Sequence, residues 1–286
     1  MSDPRTYTLT LSCPDRLGIV AAVSQFVTAR GGWIIEANHH AEQEDNVFFM
    51  RQVILADSLN CSVAQLRTAF EPLAKSFGMT WSISDSAVKK RMVVMVSKQE
   101  HCIYDLLGRW HAGELPVDIP CVISNHETFR GLVEWHGIPF HHVPVTPENK
   151  PQAYRQVMDI FDTAQADLMV LARYMQVLSP EMCERYAGRI INIHHSFLPS
   201  FVGAKPYHQA HDRGVKLIGA TCHYVTADLD QGPIIEQDVI RIDHSDLISD
   251  LVRYGKDIEK AVLARGLRFH LEDRVIVHKN KTIVFR

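Results

Sequence analysis

The stretch Ile-Ile-Asn-Ile-His-His-Ser-Phe-Leu-Pro, residues 190–199, decides the fold. An almost wholly apolar run ends in polar side chains and then in a proline, which stops regular structure. Three further apolar runs lie at residues 92–96, 117–123 and 168–172. Strands that are apolar on both faces are typical of a parallel sheet covered by helices. The sequence therefore predicts a mostly parallel α/β domain.

The segments around these runs complete the predicted domain. Helical periodicity is clearest around Ala153, Val157 and Phe161, which share one face. Two more β runs are predicted at residues 216–226 and 233–242. A long helix over residues 246–269 and a two-stranded ribbon at residues 274–278 and 282–285 follow them.

The N-terminal segment has a different pattern. Tyr7, Leu9 and Leu11 alternate with polar residues, as in a half-buried strand. Asp15 is then the expected N-cap of an amphipathic helix. Two strands, a second helix and a last strand follow, at residues 33–41, 47–56, 63–77 and 79–83. The order is βαββαβ, the ferredoxin-like arrangement. We predict domains at residues 1–84 and 92–286, joined by a polar linker at residues 85–91.

The composition excludes several classes of protein. Of the 286 residues, 46% are hydrophobic and 22% charged, which is typical of a globular protein. The net charge of −3 is unlike that of a nucleic-acid-binding protein. There is neither an apolar run of ~20 residues nor a secretory signal pattern. Six scattered cysteines without a Cys-x-x-Cys pair predict free thiols and a cytoplasmic location.

The polar end of the strand at residues 190–194 predicts a site. Asn192 and His194 point to the same side of the strand, because side chains alternate. Open α/β sheets bind ligands at the carboxyl ends of their strands. An amide and an imidazole that project together can stabilise a developing oxyanion. The alternative is that the two side chains only hydrogen-bond to the backbone.

A second element of the predicted site is Asp230, in a loop that Gly232 and Pro233 close tightly. Apolar neighbours such as Leu229 are expected to raise the basicity of its carboxylate, as a general base requires. The alternative is ordinary turn chemistry, in which Asp and Gly are common.

Taken together, these motifs resemble a known family. The set Asn192-x-His194, Ser196-x-Leu198-Pro199, His223 and Asp230 resembles the signature of the 10-formyltetrahydrofolate-dependent formyltransferase fold, over residues 91–270. His195 and Phe197 look like the deformylase branch, because the transferases usually carry proline at the place of His195. Residues 15–20 resemble the first loop of an ACT domain. The order of the two domains is that of the formyltetrahydrofolate deformylase family.

The resemblance implies roles for individual residues. Asn192, His194 and Asp230 fall on the catalytic residues of the family. The loop at residues 171–178 falls on the one that holds the pterin. The implied substrate-binding residues are Arg173, Tyr174, Met175, Val177, Leu178, His223 and Val225. The implied amino-acid effector site comprises Asp15, Leu17, Gly18 and Ile19. Side-by-side pairing of ACT sheets implies a homo-oligomer. No cofactor is expected beyond the folate substrate.

The resemblance to the formyltransferase family also distinguishes hydrolysis from formyl transfer. The ribotide-accepting transferases hold a phosphate on a glycine-rich turn after the first strand. Here residues 97–102 contain no glycine and include Glu100. The expected reaction is therefore hydrolysis of 10-formyltetrahydrofolate to formate and tetrahydrofolate, in one-carbon and purine metabolism. Two alternatives are transfer to a non-phosphorylated amine and a non-catalytic folate or amino-acid sensor.

The sequence also contains three histidine pairs and a histidine–cysteine pair, which are other candidate centres. Adjacent histidines on a strand face opposite ways, and no zinc-type spacing occurs. No metal site is predicted. His101 and Cys102 are interpreted as structural rather than as a nucleophilic pair.

Overall fold

The computed structural model describes residues 4–200 and 206–286. Its contacts separate them into two units. The first unit extends to Lys89 and includes Glu272–His278 and Ile283–Arg286. The second comprises Lys90–Leu271 and Lys279–Thr282. These limits differ from the predicted domain limits at the C-terminus, where most of the ribbon belongs to the first unit.

Hydrogen bonds within the first unit explain that difference. The Arg51 guanidinium donates to the backbone carbonyls of Glu272 and Asp273, at 3.1 Å each. The Ser84 hydroxyl donates to the Asp273 carboxylate at 2.6 Å. A hydrophobic pattern does not reveal such contacts, because they join polar groups far apart in the chain.

The first unit is a four-stranded antiparallel sheet with two helices. Its strand order is β2-β3-β1-β4. This confirms the predicted ferredoxin-like arrangement. The elements are β1 (Thr6–Pro14), α1 (Ile19–Thr28), β2 (Trp33–Glu42), β3 (Val47–Leu55), α2 (Val63–Phe77) and β4 (Thr80–Asp85).

The two helices of this unit begin differently. Helix α2 has a capping box, in which the Ser62 hydroxyl accepts from the Gln65 N–H and the Gln65 side chain accepts from the Ser62 N–H. Helix α1 begins after Gly18, whose φ of 93° is left-handed. The prediction that Asp15 caps α1 is wrong. Gly18 turns the chain into the helix instead, and the Asp15 N–H donates to the Asn46 carbonyl.

The second unit is a mostly parallel α/β sheet, as predicted. Its strand order is β12-β11-β10-β9-β5-β7-β8, with the short strand β6 beside β5. Strands β5 and β7–β10 run parallel, whereas β11 is antiparallel to both of its neighbours, β10 and β12. The elements are β5 (Lys90–Val96), α3 (His101–His111), β6 (Val117–Asp118), β7 (Val122–Ser124), α4 (Arg130–Trp135), β8 (Phe140–His142), α5 (Lys150–Thr163), β9 (Leu168–Leu171), α6 (Pro180–Arg185), β10 (Ile190–His194), α7 (Pro206–Arg213), β11 (Leu217–Tyr224), β12 (Ile234–Arg241) and α8 (Ile248–Leu271). A two-stranded ribbon of β13 (Val275–His278) and β14 (Lys281–Val284) completes the chain.

One predicted strand is divided in the structure. The apolar run at residues 117–123 forms β6 and β7 as separate short strands. Pro120 lies between them and has no N–H to donate to the ladder. Strand β6 pairs with β5 at Lys90 and Arg91, and β7 pairs with it from Val94 onward.

Helix α8 packs closely on the sheet beside β10. Gly266 faces Cys222 of β11, and a Cβ at Gly266 would lie 2.5 Å from the Cys222 Sγ. Only glycine lets the helix backbone approach the strand to this distance. Among the described residues, none of the helices is long and apolar enough to cross a membrane.

We predict that Gly266→Ala destabilises the protein by about 1–3 kcal/mol, because the added methyl overpacks the α8–β11 contact. Thermal unfolding of the full chain measures this, at roughly 2–4 °C for each kcal/mol. Gly108→Ala is the matched control, because Gly108 is also helical but a Cβ there meets nothing within 4 Å. That control should keep or raise the melting temperature. Equal melting temperatures for the two variants would contradict the packing argument.

Candidate active site

The three residues predicted to be catalytic converge at one point. The His194 Nδ1 lies 3.3 Å from the Asp230 Oδ1. The His223 Nε2 lies 3.9 Å from the same oxygen. The Asn192 Nδ2 lies 3.2 Å from the His223 Nε2. The group is well shielded from solvent, and His194 is only 5% exposed. Strands β10 and β11 position three of the four side chains, since Asn192 and His223 are partners in the ladder.

The hydrogen bonds of His223 orient the Asn192 amide. The His223 Nδ1–H donates to the Tyr224 carbonyl at 2.9 Å. The Nε2 therefore carries a lone pair and accepts from the Asn192 Nδ2–H. Burial lowers the pKa of His223, which keeps its ring neutral. The second N–H of the amide is left for a ligand.

One ring nitrogen of His194 has no hydrogen-bond partner among the described residues. Its Nδ1 faces Asp230, while its Nε2 is buried without a hydrogen-bond partner among the described residues. Buried polar atoms are normally paired, so an unpaired one marks a place for a ligand atom.

The Asp230 carboxylate is ionised, contrary to the predicted gain in basicity. Burial raises the pKa of Asp230, but the His194 hydrogen bond and the nearby imidazoles lower it by more, so the pKa lies below its ordinary value. The prediction was wrong because it weighed the apolar neighbours in sequence and could not see the imidazoles in space.

The loop that carries Asp230 has an uncommon backbone. Asp230 has a φ of 56°, in the left-handed region. A Cβ at Gly232 would lie 1.8 Å from the Tyr224 carbonyl oxygen, so only glycine fits where the loop folds back on β11. A strained residue held by its surroundings is common at functional sites.

A cavity of about 630 Å³ opens onto this group. The seven residues that the resemblance implies for substrate binding all line it, together with Asn192, His194 and Asp230. The loop after β9 is fixed by the Tyr154 hydroxyl, which donates to the Val177 carbonyl, and by the Met175 N–H, which donates to the Ser97 hydroxyl. The cavity is large enough for a cofactor-sized molecule.

The cavity is also lined by residues that the sequence does not assign to the site, among them His101, Tyr207 and Glu259. Glu259 of α8 is 1% exposed. Its Oε2 accepts from the His101 Nε2 at 2.7 Å, and its Oε1 accepts from the Tyr207 hydroxyl at 2.6 Å. A signal existed in the sequence: Glu259 is four residues from Gly255 and from Leu263, on the buried face of α8.

His101, Cys102 and Glu259 have ligand atoms within 4.8 Å of one another. Both oxygens of Glu259 already accept hydrogen bonds, and the Arg173 Nε lies 3.5 Å from its Oε2. A guanidinium therefore occupies the place beside the carboxylate that a metal ion would need. Burial raises the pKa of Cys102 well above its ordinary value, so the thiol is not a nucleophile.

The residues of the implied effector site lie in the first unit. Leu17 is 98% exposed, and a side chain at Gly18 would meet open space. Ile19, by contrast, is buried in the core of that unit. Asp15, Leu17 and Gly18 share the loop between β1 and α1, but the Ile19 side chain points away from it.

Known proteins resemble the chain closely. A family model described as formyl transferase matches residues 90–267. Over 278 residues the chain is 48% identical to the formyltetrahydrofolate deformylase of Bacillus subtilis (strain 168), covering 97% of this chain and 93% of that protein. The chain belongs to the formyltetrahydrofolate deformylase family.

Solved structures of deformylases agree with this assignment. The crystal structure of a formyltetrahydrofolate deformylase from Pseudomonas syringae pv. tomato str. DC3000 is 60% identical, with a TM-score of 0.98 over 99% of this chain and 95% of that one. The deformylase from Burkholderia mallei ATCC 23344 is 50% identical, with a TM-score of 0.94 over 99% of this chain and 100% of that one. The family resemblance stated from the sequence is confirmed, and deformylases are hydrolases.

His195 makes the stability of the protein depend on pH. Burial, and then the charge of Arg173, lower the pKa of His195 from 6.5 to about 3. Below pH 6.5 the unfolded chain therefore binds a proton that the folded chain does not. Stability is lost as the pH falls, by roughly 1 kcal/mol for each pH unit.

We predict that the wild type loses about 1 kcal/mol more stability than His195→Gln between pH 7 and pH 5.5. Urea unfolding of the full chain at the two pH values measures the difference. His244→Gln, whose side chain is exposed, is the control and should follow the wild type. Parallel curves for wild type and His195→Gln would show that His195 is not held neutral by the fold.

Proposed function

We propose that the protein hydrolyses 10-formyltetrahydrofolate to formate and tetrahydrofolate, with Asn192, His194 and Asp230 as the catalytic residues. The observation that carries this proposal is the ionised Asp230 carboxylate, 3.3 Å from His194, beside a cavity of about 630 Å³. Family membership supplies the substrate, since the relatives are deformylases of formyltetrahydrofolate.

The attack of water begins the reaction. Asp230 orients a water molecule and accepts one of its protons as the oxygen bonds to the formyl carbon. The formyl oxygen becomes an alkoxide, which receives hydrogen bonds from the Asn192 N–H and the His194 imidazolium. The unpaired Nε2 of His194 is the donor available for this step.

Collapse of the tetrahedral intermediate completes the hydrolysis. The C–N10 bond breaks, its electron pair stays on N10, and His194 protonates that nitrogen. Formic acid leaves and loses its proton to water. The proton on Asp230 then passes through water to the His194 Nε2, the atom that lost its proton, which restores both residues. The low pKa of Asp230 suits this return, since it holds the proton only in passing.

The cavity wall after β9 is proposed to hold the pterin. Its two fixed points, the Val177 carbonyl and the Met175 N–H, keep the loop rigid. Arg173, Tyr174, Met175, Val177 and Leu178, with His223 and Val225, form the flat and largely apolar surface that a pterin requires.

The start of α3 favours water over a phosphorylated acceptor. Glu100 precedes the helix, and its carboxylate pairs with the Lys256 ammonium at 2.7 Å. A phosphate placed there would meet a carboxylate, and the nearby lysine is already paired.

We predict that Asp230→Asn lowers kcat at least about 100-fold with little change in KM, because the proton acceptor is lost. The measurement is the release of formate from 10-formyltetrahydrofolate without any acceptor amine. Asp228→Asn, an exposed residue of the same loop, is the matched control and should keep the wild-type rate.

Three outcomes would contradict the proposal or part of it. Turnover that requires an amine, with a formylated product, would identify a transferase. Folate binding without turnover by the wild type would identify a sensor. Full activity of Asp230→Asn would remove that residue from the mechanism.

We further propose that residues 1–84 form an ACT domain that binds a small amino acid beside Asp15, Leu17 and Gly18. The exposed loop at Leu17 and Gly18 supports this. We propose that this domain also pairs with its copy in a homo-oligomer, and that catalysis in residues 92–286 uses neither a metal nor a cofactor. A cytoplasmic location is consistent with six free cysteines.

We predict that one of the common amino acids changes the rate of formate release, and that Asp15→Ala abolishes the response without changing the basal rate. The measurement is a titration of each amino acid into the hydrolysis assay. An unresponsive wild type would leave this unit with a structural role only.

A further inference from the structure

The segment Ser196-x-Leu198-Pro199 belongs to the motif that resembles the family, but the proposed mechanism does not use it. It leaves the end of β10 just after His194 and His195. A catalytic side chain keeps its productive geometry where neighbouring groups lock its position. The contacts that hold this segment therefore bear on the position of His194.

The hydroxyl of Thr221, in β11, holds the segment. It donates to the Ser196 carbonyl at 2.9 Å. It accepts from the Leu198 N–H at 3.1 Å and from the Gln237 side-chain N–H at 2.9 Å. A threonine hydroxyl has one proton and two lone pairs, so these three hydrogen bonds use its full capacity.

Gln237 extends the same network. It is the partner of Thr221 in the β11–β12 ladder. Its Nε2 donates to the Leu198 carbonyl at 3.0 Å as well as to the Thr221 hydroxyl. Side chains of the sheet therefore bind both the N–H and the C=O of Leu198. The segment is tied to β11 and β12 as well as to β10, from which it continues.

The network is shielded from water. Thr221 is 0% exposed, and Ser196 and Leu198 are each 4% exposed. A buried polar group that loses its partner costs the full free energy of its desolvation, because no water replaces the partner. A path of the segment that broke these hydrogen bonds would leave several such groups unpaired. The network therefore specifies one path for the chain after β10.

Thr221 is also the neighbour of the catalytic imidazole. His194 and Thr221 are direct partners in the β10–β11 ladder. Side chains of directly opposed residues lie on the same face of an antiparallel pair, with their Cβ atoms about 5 Å apart. The His194 Nδ1 lies 3.3 Å from Asp230, whereas its Nε2 is unpaired among the described residues. A ring with one polar contact depends on its neighbours to fix its orientation.

We infer that Thr221 is a positioning residue of the reaction; this inference rests on the proposed function. By fixing Ser196 and Leu198, its hydroxyl holds the His194 imidazole where it stabilises the oxyanion. Thr221 is not among the residues that line the cavity, so it acts through His194 and touches no reacting atom. A displacement of about 1 Å at a catalytic group costs roughly 100-fold in rate.

The alternative is a purely structural role for the same network. Such a role would lower the melting temperature of a variant but leave the kcat of its folded molecules unchanged. The two roles are therefore separated by the rate of folded protein and not by its stability.

The test compares Thr221→Val with Thr221→Ser in the full-length protein. Valine has nearly the shape of threonine but no hydroxyl, whereas serine keeps the hydroxyl. We expect Thr221→Val to lower kcat for formate release at least about tenfold, with KM within about twofold of the wild type. Thr221→Ser should keep kcat within about threefold. The rates are measured well below the melting temperature of each variant, with the folded fraction checked by circular dichroism.

Two further variants grade the effect. Gln237→Met removes one of the three hydrogen bonds of the Thr221 hydroxyl, so its kcat should fall between those of Thr221→Val and Thr221→Ser. Tyr186→Phe is the matched control for the loss of a buried hydroxyl. Tyr186 is 2% exposed, donates to Asp162 at 2.9 Å and does not line the cavity. Its removal should lower the melting temperature and keep kcat within about twofold.

Several kinetic results would overturn the inference. One is a Thr221→Val protein with the wild-type kcat, and another is a Thr221→Ser protein as slow as Thr221→Val. A tenfold loss of kcat in Tyr186→Phe would mean that the rate follows general stability. A higher KM with unchanged kcat in Thr221→Val would mean that Thr221 acts on folate binding and not on His194.

Crystal structures of the two Thr221 variants test the inference without turnover. The distance between the His194 Nδ1 and the Asp230 Oδ1 should grow by about 0.5 Å or more in Thr221→Val. It should stay near 3.3 Å in Thr221→Ser. An unchanged distance in Thr221→Val overturns the inference. A wild type that releases no formate would contradict the proposed function alone, because the distance still measures what Thr221 does.

Discussion

The ionised carboxylate of Asp230 is the constraint on which the site depends. A charge shielded from water is costly unless other groups compensate for it, and here two imidazoles surround it. Those imidazoles come from neighbouring strands, whereas Asp230 comes from a loop that has to fold back toward them. The left-handed φ of Asp230 and the contact of Gly232 with β11 are consequences of that return.

A second shielded carboxylate, that of Glu259, lines the same cavity. Glu259 is held by His101 and Tyr207 and in turn holds Arg173. Gly255 makes this possible, because a Cβ there would lie 2.1 Å from the Tyr207 hydroxyl oxygen. The cavity therefore has one carboxylate that faces imidazoles and another that faces a guanidinium. The His195 ring neighbours both groups, with its centroid 5.3 Å from that of His194 and 6.1 Å from that of Tyr207.

Hydrophobic periodicity predicted most elements of the fold, because burial acts on each strand and helix locally. It failed where a single residue interrupts the pattern. Pro120 divides an apolar run into two strands, and Gly18 rather than Asp15 begins α1. Both failures have the same cause: backbone geometry at one residue outweighs the pattern of its neighbours.

The sequence by itself determined the fold class and, through the resemblance of its motifs, the family, and it singled out Asn192, His194 and Asp230 as candidate site residues. These follow from local spacing and from side-chain chemistry, which the order of residues carries directly. Only the tertiary structure decided the charge of Asp230, the roles of His223 and His195, and the cluster around Glu259. Electrostatic environment depends on distances between groups that are remote in the chain, and folding alone sets those distances.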